Sequence, residues 1–169
     1  MKHLNIIIIG LLFLGGCASI GKNQKHARNP DYKALAVFDN DTLEYVKYNF
    51  FENQQFFVGK PLKVLFKDLE ATIVTFTPNS LINPMNMSDG VSLTFSYSRN
   101  VEQPDKTVIA KPAYADLIVT FTELYPSSYT MGLKNYALNI NWGKAQEDFY
   151  KDFTIKEIFL YVPEIEPIE

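Results

Sequence analysis

The chain has 169 residues, 47% of them hydrophobic and 14% aromatic, with Lys and Arg at 16 against Asp and Glu at 19. That length suits one domain with a sizeable core, and a net charge of −3 with no basic patch in its body disfavours nucleic-acid binding. A single cysteine rules out an internal disulfide, and the two histidines, His3 and His26, stand too near the start for an imidazole triad or metal site in the body of the chain.

The first stretch is the most specific. Lys2 and His3 precede an apolar run from Leu4 to Leu14, which ends in Leu14-Gly15-Gly16-Cys17. A positive start, a short apolar middle and small residues before the cut make a secretory signal. The run is shorter than the roughly 20 apolar residues of a spanning helix. An ordinary cleaved signal with an incidental cysteine is the other reading. With its cysteine at the cut, the pattern resembles the lipobox of bacterial lipoproteins. The resemblance implies cleavage between Gly16 and Cys17, with diacylglyceryl and acyl (palmitate-type) chains on Cys17 and no other cofactor. It also implies an outer-membrane, periplasm-facing location, since Ala18 and Ser19 follow Cys17 rather than an aspartate or an acidic run. Two or more chains hold a protein firmly at a bilayer. The expected organisation is a signal peptide at 1–16, a lipidated tether at 17–31, one domain at 32–163 and an acidic tail at 164–169.

Asp41 followed by Glu44 predicts a capping box, and Leu43, Val46 and Phe50 recur at helical spacing before Gly59 ends the segment. Pro61 opens a second helix whose stripe is Leu62, Leu65, Phe66 and Leu69. Leu65 and Phe66 are expected in the core. The period then changes to two. Strands are expected at 71–77, with Ile73 on one face and Val74 and Phe76 on the other, and at 91–98, 117–124, 136–142 and 156–162, with a short helix near 144–153. Helices first and strands after predict an α+β fold: N-terminal helices packed on a mainly antiparallel sheet of about five strands.

Val58-Gly59-Lys60-Pro61-Leu62-Lys63-Val64-Leu65 with Asp68-Leu69, and the closing Phe153 to Pro163, resemble segments of small uncharacterised envelope lipoproteins of the Bacteroidetes type. That resemblance implies no activity. Asp39-x-Asp41 does not make a calcium loop, because Glu44 and Phe50 stand where glycine and glutamate are needed. The carboxylates Asp68, Glu70, Asp89, Asp116, Glu123, Glu147, Asp148 and Asp152 show no spacing that singles out a pair. The expectation is therefore no enzyme and no metal, but a binding or scaffold domain for an envelope protein or glycan, touching the membrane through its lipid. A carboxylate-dependent glycan hydrolase and a purely structural anchor are the alternatives. The candidate binding surface is Met85, Met87, Tyr125, Tyr129 and Met131. It assumes that strands starting at 71, 91, 117 and 136 run up and down, so that connections 78–90 and 125–135 share one end and 99–115 joins 143–155 at the other. These side chains either take a partner or fold inward as a plug on the core.

Overall fold

A computed structural model describes residues 28–80, 86–103, 105–131, 133 and 141–163. The expected signal peptide, Cys17, the expected tether as far as residue 27, Met85, most of the expected strand at 136–142 and the expected tail at 164–169 lie outside the described residues. The architecture is α+β. Four antiparallel strands lie in chain order: β1 (Ile73–Ser80), β2 (Met87–Glu102), β3 (Val108–Pro126) and β4 (Ile155–Tyr161).

The sheet therefore has four strands among the described residues rather than about five. Of the expected strand at 136–142, Asn141 makes an isolated antiparallel bridge to Thr75 on β1. The fourth place beside β3 is taken by β4, where Leu117 faces Leu160 and Val119 faces Ile158. The connection from β3 to β4 leaves the sheet after Pro126 and re-enters it at Ile155, opposite Phe121, at the same end. The 143–155 segment lies at the end that carries Met87 and Pro126, not opposite it.

Alternation sorts the residues of each strand between two faces. Val91, Leu93 and Phe95 of β2 and Leu117 and Val119 of β3 face inward and are buried. The other face carries Ser92 beside Ile118 and Thr94 beside Asp116, and then Phe159 and Tyr161, both exposed. On β1 the alternation breaks. Ile73 pairs with Phe95 and Thr75 with Thr94, so Val74 is an extra residue in a bulge. The bulge turns both Ile73 and Phe76 inward and leaves Val74 exposed. The expected grouping of Val74 with Phe76 is corrected for that reason.

A second irregularity crosses the whole sheet at Gly90. Register shifts fall between Asn79 and Ser80, between Ser88 and Gly90, and between Thr120 and Phe121. A Cβ on Gly90 would lie 2.3 Å from the Val119 carbonyl oxygen, a backbone atom that cannot turn aside. Glycine is what lets the two strands approach there.

The helical layer covers the inward face. Asp41 caps α1 (Thr42–Val46) by accepting from the backbone N–H groups of Leu43 and Glu44. The chain then widens into a π turn over Lys47–Glu52. Tyr45, Val46 and Phe50 are buried there, and so is Asn49. Gly59 ends the segment in a left-handed turn at φ 76°. In α2 (Lys63–Asp68) the inward residues are Val64 and Leu65, with Leu62 just ahead of the helix. Phe66, expected in the core, is half-buried and lies at its margin beside Trp142, ring centroids 5.4 Å apart. After β3 come the short turn α3 (Ser128–Met131) and then α4 (Lys144–Tyr150). No helix among the described residues is long and apolar enough to cross a membrane.

Candidate functional site

The two ends of the sheet are built differently. At one end the N-terminal segment is clasped to the domain. Arg28 meets Asp68 (Nε to Oδ1, 3.4 Å) and Glu70 (3.2 Å), and its guanidinium lies 3.4 Å from the centroid of Tyr32. Asn29 donates its N–H to Asp68, and Leu35 donates its N–H to Glu70 at 2.9 Å. Arg28 and Asn29, expected in the tether, are thus already bonded to the domain. Buried Asn49 closes the clasp. Its side-chain oxygen accepts from the Lys33 N–H and its amide donates to the Lys33 carbonyl, both at 2.9 Å.

Tyr45 is the hub of this end. Its hydroxyl donates to the Asp68 carbonyl at 2.7 Å and accepts the Glu70 N–H at 2.8 Å. Burial raises the Tyr45 phenol above its ordinary value. The Tyr32 hydroxyl and the Leu35 N–H hold the Glu70 carboxyl below its ordinary range, and Arg28 adds to this.

From the same end β2 and β3 run on with no further paired strand among the described residues. β1 begins opposite Phe95 and β4 ends opposite Asp116. Beyond them, Ser96–Glu102 and Val108–Tyr114 form a two-stranded ribbon paired from Ser96 with Tyr114 to Glu102 with Val108. One ribbon face carries Arg99 directly opposite Lys111 and, nearer the tip, Val101 opposite Ile109. Val108 is 62% exposed and Ile109 40%. At the ribbon base lies a polar cleft of about 520 Å³, walled by Asp39, Asn40, Asp41 and Thr42 on one side and by Ser96, Tyr97, Lys111 and Pro112 on the other.

The other end carries the residues expected to bind. The first and third connections do meet there: Met87 pairs with Pro126, the Ser127 N–H donates to the Asn86 carbonyl at 2.7 Å, and the Ser88 and Ser127 hydroxyls are 2.9 Å apart. The expected residues divide. Tyr125 turns inward and is 3% exposed, its hydroxyl donating to the Gly90 carbonyl at 2.7 Å. Its ring meets Phe121, Phe149, Tyr150 and Phe153, so it plugs the core and leaves the binding surface. Burial pushes its phenol up to about 12. Tyr129 on α3 is 64% exposed, and Met87 is half-buried. Met131 closes α3, its side chain outside the described residues, as is Met85.

Most of the singled-out carboxylates have structural partners. Glu123 accepts from the Thr154 N–H at 3.0 Å and the Thr154 hydroxyl at 2.8 Å, which pins the start of β4. Burial pushes the Glu123 carboxyl up, but these bonds outweigh it and leave it below its ordinary value. Asp116 takes the Thr94 hydroxyl, Asp148 takes Lys144 and Lys151, and Asp152 takes Lys63. Glu147 lines a smaller notch beside Phe66 and Trp142. None of these lines the polar cleft, whose carboxylates are Asp39 and Asp41. Among the described residues no group of three or more His, Cys, Asp or Glu side chains could hold a metal ion.

Sequence reasoning passed over the ribbon and the clasp. Pro112 argues against a strand, because proline removes a ladder donor. In a two-stranded ribbon each strand has a free edge, where a missing N–H costs nothing. Asn49 gave no signal, since its partner is backbone far off in sequence. No family model, no curated protein and no solved structure matches the chain.

Proposed function

We propose that the chain is a lipoprotein of the bacterial cell envelope, held in the outer membrane by acyl chains on Cys17 and facing the periplasm. Its domain is a non-catalytic module that binds an envelope protein or a glycan. The observation that carries this reading is the position of Arg28. It docks beside Glu70, just ahead of β1 and at the ribbon end of the sheet, eleven residues after Cys17. A lipid on Cys17 then leaves the end with Met87 and Tyr129 turned away from the bilayer, toward partners. An exposed tyrosine supplies a rigid ring with a polar tip for such contacts.

Labelled fatty acid should enter the wild-type protein and not Cys17→Ala. Equal label in both ends the lipoprotein reading. Protease added to intact cells should spare the domain, whereas rapid loss places it outside. Envelope partners captured by the wild type should be captured more weakly by Tyr129→Ala, with the melting temperature unchanged. Unchanged capture removes Tyr129 from the surface.

A further inference from the structure

We infer that the tip of the β2–β3 ribbon rests on the lipid surface to which the chain is anchored, with Val108 and Ile109 entering the headgroup boundary and Arg99 and Lys111 meeting phosphate groups. The inference rests on the lipid-anchor reading above and adds the orientation of the domain on the bilayer.

Three observations meet here. The first is placement. Arg28, the first described residue, bonds Glu70, and Glu70 also takes the Leu35 N–H. A few residues on, Asp39–Thr42 wall the cleft whose other side is the ribbon base. The chain that leads back to Cys17 therefore leaves the domain on the side from which the ribbon projects. The second is length. From Ser96 to Glu102 the ribbon extends about 20 Å at the usual rise of a strand. Arg28 stands eleven positions after Cys17. A chain of that length reaches at most about 40 Å. That reach exceeds the extension of the ribbon, so an anchor at Cys17 allows the ribbon tip to meet the same surface.

The third is chemistry. Val108 and Ile109 stand exposed just behind the turn at the tip. Two residues behind, on the face that carries Ile109, Arg99 and Lys111 are direct cross-strand neighbours. Like charges in that position repel, and neither forms an ion pair among the described residues. A phosphate group between them removes the repulsion. Behind the polar turn come an exposed apolar pair and, one layer further back, two cations, so a tip sunk to the headgroup level sets apolar side chains at the boundary and cations among the phosphates. Lys106 in the turn adds a third cation, against Glu102 and Asp105.

The test uses the full lipidated chain on vesicles that contain phosphatidylglycerol, with and without brominated acyl chains that quench indole. Val108→Trp places a reporter at an exposed site, beside the native Trp142 at the core margin. The expected result is loss of the added emission on brominated vesicles, with no matching loss in the wild type. Arg99→Glu with Lys111→Glu in the Val108→Trp background should reduce that loss. A protein that stays on the vesicles with its tip indole unquenched overturns the inference and leaves the tip to a protein or glycan partner. A protein that leaves the vesicles altogether sinks the anchor reading, and the inference with it.

Discussion

The clasp end and the loop end are held by different forces. At the clasp, Arg28, Asn29, Tyr32, Lys33 and Leu35 are tied by polar bonds to Tyr45, Asn49, Asp68 and Glu70. At the loop end, Tyr150 is fully buried with its ring against Phe76, Phe121, Tyr125, Trp142, Phe149 and Phe153. Polar bonds to backbone order a segment, and each can be lost locally. A ring shared by two strands and a helix cannot be lost without the core around it. The contrast predicts that damage at the clasp frees the N-terminal segment alone, while damage at the loop end unfolds the domain.

The largest effect is expected at Tyr150. Tyr150→Ala should cost about 3–5 kcal/mol, the range for removing a large buried ring, in a single transition seen equally by all probes. Tyr150→Phe tests the hydroxyl, which lies 3.4 Å from that of Tyr125, and should cost far less. If both variants melt like the wild type, the loop end is not part of the core. Gly90→Ala comes next. The added Cβ meets the Val119 carbonyl and forces β2 from β3, for a loss of about 3 kcal/mol, the top of the usual overpacking range. A loss below error in denaturant unfolding means that the strands part there easily.

The contrast also bears on what could be read from sequence. The helix cap at Asp41, the buried Leu65 and the inward rows of β2 and β3 follow from local pattern, and the structure agrees. Patterns extending over several residues survive because burial of one face reinforces each of them. The faces of β1 did not follow, because a bulge inserts one residue and reverses the alternation after it, and no residue type marks Val74 as extra. The strand at 156–162 was legible and is present as β4, but its place beside β3 was not, because alternation marks a strand and says nothing of which neighbour it pairs with. Of the candidate site, the meeting of the first and third connections was legible from an up-and-down order. The burial of Tyr125 was not, since a tyrosine at a strand end looks the same whether it points in or out. The ribbon and the clasp depend on contacts between residues far apart in sequence.

Asn49→Ala should be smaller and local. It removes the partner of both Lys33 backbone groups, and an unsatisfied polar group costs about 1–3 kcal/mol if it stays buried. The segment escapes that cost by detaching into water. Amide exchange should therefore speed up at 32–38 while amides of Leu117 and Val119 keep their protection. Equal acceleration at both places would falsify the division into a local clasp and a global core.

The smallest effect, and the one that best separates the two ends, is acid release at Glu70. Its carboxylate accepts from the Leu35 N–H and from Arg28, and the folded chain holds its pKa below the ordinary 4.5. A depressed carboxylate favours the folded state when ionised, so the contribution is complete above the unfolded value and fades as pH falls through the folded one. The window therefore lies below 4.5. The side chain is 40% exposed, so salt also weakens the contact. In wild-type protein, exchange at 32–38 should accelerate as pH falls below that value, after correction for intrinsic rates. In Glu70→Gln the segment should already be looser at neutral pH, and the two proteins should converge in acid. Tyr32 and Tyr45 stay protonated throughout this range, since both phenols are raised. Two curves that stay parallel down to low pH would show that the Glu70 charge does not hold the clasp.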